Sequence, residues 1–194
     1  TTTQFNVLLL ASLTPRESPL AIINAVIAAR KLGMDIHLNI VGRYNSSLIQ
    51  KITYLRLKRL IARNKFVHLH GFLNELDFDS ILSTSNCCVI IRSHSKESTH
   101  AFPTRIPEII NKRIPLILSD TEPFNMFFSH RKNALLVSYR NAETDLVSAF
   151  SLLSSNPSLS LELIRNALLL AKREFSQHVL GRRVSNLLSS FIND

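Results

Sequence analysis

Six short apolar runs recur along the chain: "FNVLLLA" (5–11), "DIHLNIV" (35–41), "FVHLH" (66–70), "NCCVIIR" (86–92), "IPLILS" (114–119) and "NALLV" (133–137). Each is apolar on both faces, the pattern of strands in a parallel sheet covered on both sides by helices. Helical patterns at 18–32, 46–64, 75–84, 104–112 and 122–130 separate them, and 142–154, 158–174 and 176–192 read as closing helices. Repeated β/α units in series imply a doubly wound parallel α/β sheet of about six strands, here as one domain over 1–194. Such sheets bind ligands outside the carboxyl ends of their strands, near the point where the strand order reverses. The loops that follow the strands are therefore the informative segments.

The helix ends carry their own signals. Ser18 stands as an N-cap before Pro19, and Gly33 lies just past the end of that helix. Asn74 precedes Glu75 and Asp77, acids that suit the first turn of a helix. Asn156 and Pro157 separate the first two closing helices.

A hydrophobic content of 45% argues against disorder, and no apolar run approaches the ~18 residues of a membrane span. The opening "TTTQFNVLLLAS" has no basic segment before its apolar run, so that run reads as a strand rather than a signal peptide. Cys87 and Cys88 are neighbours on a strand and point to opposite faces, which argues against a disulfide between them and fits a reducing compartment. The histidines are scattered and no C-x-x-C occurs, so no zinc ligand set is visible and no metal is required.

Net charge is +9, and seven basic residues (Arg43, Lys51, Arg56, Lys58, Arg59, Arg63, Lys65) fall between Asp35 and Glu75 without an intervening acid. That balance favours nucleotide phosphates, an acidic membrane or nucleic acid, and a merely solvated helix face accounts for it equally well. Leu48, Ile52 and Leu55 align on that helix, but Arg59 continues the same face. The lack of aromatic clusters argues against nucleic acid. With four glycines, no G-x-G-x-x-G and no Walker pattern, ordinary dinucleotide and P-loop chemistry are disfavoured.

Four loops remain. In "SLTPRESP" (12–19), Arg16 is placed to reach an anion at the start of the first helix, though an ordinary surface turn explains the segment as well. In "VGRYNS" (41–46), Gly42 allows a tight αL turn or a close approach to a ligand. In "HGFLNE" (70–75), Phe72 and Leu73 offer a shelf for a flat ring, or Phe72 packs into the core. The long "RSHSKESTHAFPTRIPE" (92–108) is the least routine stretch. With Thr104 as cap, the amides of Thr104, Arg105 and Ile106 are free of helix bonding, and with the Arg105 guanidinium they favour a diphosphate. Glu108, one turn in, then accepts from hydroxyls such as a ribose 2′/3′ pair, or merely complements the helix dipole.

"VGR", "FVHLHGFLN", "DFDSILSTSNCCVIIRS" and "FPTRIPEIINKRIPLILSD", in that order, resemble the donor-binding, C-terminal half of the GT-B fold retaining glycosyltransferases of the group 1 (family 4) type. The resemblance runs from about 6 to 175, and "LLLAKREFSQHVLGRRVSNLLSSF" resembles that family's closing helices. It implies a Rossmann-like half of a GT-B enzyme. Ser93 matches the family's serine after strand four. "PTRIPE" matches a branch that carries Pro-Thr-Lys-x-x-Glu, which makes Glu108 the ribose ligand and Thr104 and Arg105 the phosphate ligands, with His100, Phe102 and Pro103 lining the same loop. His100 stands where many members have a first glutamate, and Arg113 replaces the glycine of a turn after the helix. Ser12 and Glu17 occupy the places of an Arg and a Lys that bind donor phosphates, with Arg16 beside them, and "TEPFN" replaces the glycines after strand five.

The resemblance further implies a nucleotide diphosphate sugar as donor, no cofactor, and catalysis by electrostatic stabilisation of the leaving diphosphate, with Arg105 and Glu108 as its named participants. The acceptor site belongs to a missing N-terminal domain, so this half alone is expected to be inactive. A glycan or lipid acceptor and a cytoplasmic location, peripheral at the inner face of an anionic membrane, follow from the same family. The altered donor-side residues motivate an alternative, a catalytically degenerate domain that serves as an interaction or scaffolding module.

Overall fold

The computed structural model describes residues 4–10, 17–42, 51–94, 102–176, 179 and 181, with backbone alone for 51–53. In it the strands β1 (Phe5–Leu10), β2 (Ile36–Val41), β3 (Val67–Gly71), β4 (Cys87–Ile90), β5 (Leu116–Ser119) and β6 (Leu135–Val137) form one parallel sheet in the order β3-β2-β1-β4-β5-β6. The order reverses between β1 and β4, where Val7, Leu8 and Leu9 stand opposite Cys87, Cys88 and Val89. The doubly wound, Rossmann-like sheet expected from the alternating runs is the observed fold.

Among the described residues six α-helices cover the sheet: α1 (Pro19–Lys31), α2 (Lys51–Arg63), α3 (Glu75–Thr84), α4 (Ile106–Asn111), α5 (Ala142–Ser155) and α6 (Pro157–Glu174). Val7, Leu9, Ile36, Leu38 and Ile40 pack on one face against α1, α2 and α5. Leu8, Cys88, Ile90, Leu116 and Leu118 pack on the other against α3, α4 and α6. Cys87 and Cys88 divide between these two cores, both fully buried with free thiols. Burial raises both thiol pKa values, Cys88 to about 12, so neither supplies a thiolate nucleophile at neutral pH.

Local sequence explains two of the helix starts. Asn74 caps α3, its Oδ1 accepting from the Asp77 amide at 2.9 Å. Asn156 caps α6 by accepting from the Leu159 amide at 3.0 Å. Ser18 occupies the N-cap position of α1 but makes no side-chain cap bond, because it takes a left-handed conformation (φ +47°) ahead of Pro19. The exposed cations Arg56, Lys58, Arg59, Arg63 and Lys65 form a solvated face, and Lys58 Nζ sits 5.0 Å from the Tyr54 ring centroid. The buried side of α2 is Leu57 with Leu60 and Ile61, while Leu55 is 56% exposed.

Two expected helices change. The segment 122–130 holds only a 3₁₀ turn, Phe124–Met126. Asn133 supplies the reason: it accepts from the Ser129 amide at 2.8 Å and donates to the Phe127 carbonyl at 3.2 Å, taking backbone groups that a helix would use. The helix placed at 104–112 begins at Ile106 with Arg105 as N-cap, the first full-turn bond running from the Ile109 amide to the Arg105 carbonyl.

α1 and α4 end in the same way. At α1, the Gly33 amide donates to Arg30 and the Met34 amide to Ala29, with Gly33 at φ +92°. At α4, the Arg113 amide donates to Ile110 and the Ile114 amide to Ile109, with Arg113 at φ +59°. A side chain in that left-handed position costs about 1 kcal/mol relative to glycine. Arg113→Gly is therefore expected to raise stability by roughly 0.5–1 kcal/mol, read from the urea midpoint.

His37 and Asn39 on β2 and His68 and His70 on β3 share one face of the sheet edge. His37 Nδ1 lies 3.5 Å from His68 Nε2, and His70 Nε2 lies 2.9 Å from Asn39 Oδ1. Burial, then the charge of Arg30, lowers the His37 pKa below its ordinary 6.5, against the opposing pull of Asp35; burial, then His68, lowers that of His70. The unfolded chain thus binds protons near pH 6.5 that the folded edge refuses until lower pH. Stability from these groups is complete above 6.5 and declines as pH falls through that value toward the lowered ones. The urea midpoint should fall between about pH 7.5 and 5.5, and the joint replacement His37→Gln with His70→Gln should flatten that slope.

Candidate functional site

A cavity of about 720 Å³ opens above the carboxyl ends of the strands at the point where their order reverses. Leu10 of β1, Val41 of β2 and Ile90 of β4 form its floor. Gly42 and the segment Phe72–Glu75 close the β2–β3 side, and Pro103, Thr104, Arg105 and Glu108 close the opposite side.

The two glycines at the strand ends shape this opening. The Gly42 amide donates to the Gly71 carbonyl at 2.9 Å, just beyond a register shift at Ile40 and Val41. Gly42 takes φ +154°, outside the αL basin expected for a simple turn, and Gly71 takes φ +70°. Side chains rarely tolerate either, so both positions are held by backbone geometry. Phe72 follows at 70% exposure, a ring presented on the rim, and half-buried Leu73 packs beneath against the α3 side of the core.

The opposite wall is built by "FPTRIPE". Half-buried Phe102 wedges among Phe124, Phe127 and Phe175, with ring centroids 6.5, 5.4 and 5.1 Å away. Its ring belongs to this cluster and is absent from the cavity wall. Pro103 then turns the chain, and its carbonyl accepts the Ile106 amide at 3.2 Å. That bond removes Ile106 from the expected set of open amides. Thr104 and Arg105 donate to no described backbone carbonyl. The Arg105 guanidinium lies 5.1 Å from the Phe78 ring centroid, which steadies an exposed cation at the mouth. Glu108 is exposed on the same wall, while Ile106, Ile109 and Ile110 bury the opposite face of α4. Lys112 Nζ ties α4 to Asp79 of α3 at 2.7 Å.

The structure thus brings together Gly42, Phe72, Leu73, Pro103, Thr104, Arg105 and Glu108 around one opening. Ser93, half-buried, is not among the wall residues. Ser12, Arg16 and His100 lie outside the described residues. Two buried charged wall residues were missed as contributors. Arg92 is 8% exposed, and its amide donates to Ser119 Oγ at 3.0 Å. Glu17, met in the sequence only as a departure from a pattern, is 9% exposed. A legible signal existed for Arg92: a charge that ends an apolar strand beside the order reversal.

An anionic ligand with hydroxyls suits such a wall, with a guanidinium and open amides on one side and a carboxylate one turn away. Residues 2–169 match the glycosyl transferases group 1 family. The chain belongs to that family. No curated protein sequence matches it. Among solved structures, Anabaena HepE in complex with UDP is similar over 96% of this chain and 49% of its own, at 16% identity and a TM-score of 0.81. The pneumococcal O-GlcNAc transferase GtfA, in complex with UDP and GlcNAc, is similar over 98% of this chain and 36% of its own, at 16% identity and a TM-score of 0.74. The C-terminal domain of LpcC, a glycosyl transferase group 1 family protein of Francisella tularensis, is similar over 89% of this chain and 87% of its own, at 14% identity and a TM-score of 0.72. These likenesses show the fold, and the group 1 chain spans about half of HepE's length. Among its described residues no helix is long and apolar enough to cross a membrane.

Proposed function

We propose that this group 1 domain holds the nucleotide-sugar donor of a glycosyltransferase, with the acceptor held by a domain outside this chain. The observation that carries the reading is the meeting of Arg105 and Glu108 on one wall of a cavity at the strand-order reversal. In this reading the Arg105 guanidinium and the Thr104 and Arg105 amides take the diphosphate, Glu108 takes ribose hydroxyls, and Phe72 backs the base. As the bond from the anomeric carbon to the diphosphate oxygen breaks, charge grows on that oxygen, and fixed donors facing it lower the barrier. The anomeric carbon bonds to an acceptor hydroxyl oxygen, whose proton is released. UDP and UDP-glucose in the HepE structures support a nucleotide-sugar class of ligand.

The acceptor we assign is a glycan or lipid at an anionic membrane surface, and this half alone turns over no donor. A second reading has one observation in its favour: a buried carboxylate, Glu17, faces the cavity. In that reading the domain is catalytically degenerate and acts as an interaction module.

Titration with uridine, guanosine and adenosine diphosphates and their sugars, followed by calorimetry, separates these outcomes. One base series is expected to give saturable binding. Saturation with no turnover after restoration of the acceptor half favours the degenerate module, and no saturation by any member overturns the donor assignment.

A further inference from the structure

Among the described residues only Glu17 and Arg92 carry a formal charge on a buried side chain, at 9% and 8% exposure. Both line the same cavity. The remaining charged groups on its wall, Glu75, Arg105 and Glu108, are all exposed. Taking a guanidinium out of water is costly, and a fold retains one where a partner needs it or where it binds an anion.

We propose that Arg92 is the anchoring cation for the donor's diphosphate, an inference that rests on the nucleotide-sugar reading above. Arg92 follows the end of β4, the strand beside β1 at the order reversal, and its amide is fixed by Ser119 Oγ. That oxygen is itself 3.0 Å from Thr121 Oγ1, and both hydroxyl residues are buried. The backbone of Arg92 is therefore held at the strand end, and the residue is a buried part of the cavity wall, in contrast to Arg105, which is exposed. The five N–H donors of the Arg92 guanidinium serve one carboxylate and still present a second edge to a phosphate.

Glu17 lines the same cavity with the opposite charge. In this proposal it compensates Arg92 when no donor is bound, and a diphosphate competes with it for the same cation. The charge pattern thus assigns anion recognition to the carboxyl end of β4. Glu17 weakens the donor's hold, and Arg92 adds a buried cation to the contacts made by Thr104 and Arg105.

The test compares each nucleoside diphosphate with its parent nucleoside in the base series that binds. The wild-type chain is expected to prefer the diphosphate. Glu17→Gln should raise that preference about threefold or more, with nucleoside affinity unchanged. Arg92→Met in the Glu17→Gln background leaves no uncompensated carboxylate and should cut the preference by about tenfold or more. A merely structural pair would shift nucleoside and diphosphate affinity together and leave their ratio alone; that result overturns the proposal. If the double variant fails to fold, Glu17→Gln decides, and an unchanged or reduced preference overturns it. If neither ligand binds the wild-type chain in any series, the nucleotide-sugar reading itself falls.

Discussion

Glu108→Ala is expected to weaken binding of the cognate nucleoside diphosphate by about 10–100-fold, the effect of losing hydrogen bonds to a charged acceptor. Glu108 is the third residue of α4, and buried Ile109 and Ile110 after it fix the turn that aims it. The carboxylate is exposed on the cavity wall, so its removal leaves no cavity in the core. The stability cost is confined to its effect at the helix start, about 0.3–1 kcal/mol. Binding and folding therefore separate: calorimetry should register a large loss while the urea midpoint moves little. A 2′,3′-dideoxynucleotide sharpens the assignment. If Glu108 holds the ribose, that analogue binds the wild-type chain weakly and loses nothing further in Glu108→Ala. An equal loss with both ligands would mean that the carboxylate acts elsewhere, on the fold of the wall or on the sugar.

The parts of the domain that a sequence reader can see are those set by local chemistry. Strands buried on both faces, β4 and β5, announce themselves, since a covered parallel sheet leaves no room for polar alternation; β2 and β3 depart from the expected pattern, because His37, Asn39, His68 and His70 put polar groups on one face of the sheet edge. Asn74 was legible as a cap because its side chain satisfies an amide three residues on. The buried side of α2 was not: the aligned Leu55 is exposed and Leu57 is buried, because the tilt of a helix on its sheet depends on its neighbours. The true start of α4 was hidden for a related reason. Thr104 has the side chain of a cap, yet the turn from Pro103 to Ile106 uses backbone groups first, so the helix opens later. In the site, the wall residues of "PTRIPE" were readable as a motif. That Glu17 and Arg92 share one cavity was not, since 74 residues lie between them and only the fold brings both there. Arg113 shows the converse: its side chain stands at a backbone position that glycine would fill without strain, and the fold accepts the cost.

Phe124→Ala is expected to cost about 3–5 kcal/mol, a large fraction of the ~5–15 kcal/mol that holds a domain of this kind together. Phe124 is fully buried and supports Phe102 from below. Its loss leaves a void among Phe102, Phe127 and their neighbours that packed surroundings fill only in part. The urea midpoint should fall sharply with the slope unchanged. Phe102→Ala makes the informative contrast. Phe102 is half-buried and sits one residue before Pro103, so truncating it removes less packing but unfastens the segment that presents Thr104 and Arg105. The two variants should therefore rank in opposite orders: Phe124→Ala the more destabilising, Phe102→Ala the more damaging to diphosphate affinity in the folded fraction. Should Phe102→Ala bind as tightly as the wild-type chain, the wall would be positioned by α4 alone, through Ile106, Ile109 and the tie from Lys112 to Asp79, and the aromatic cluster would serve stability without serving the site.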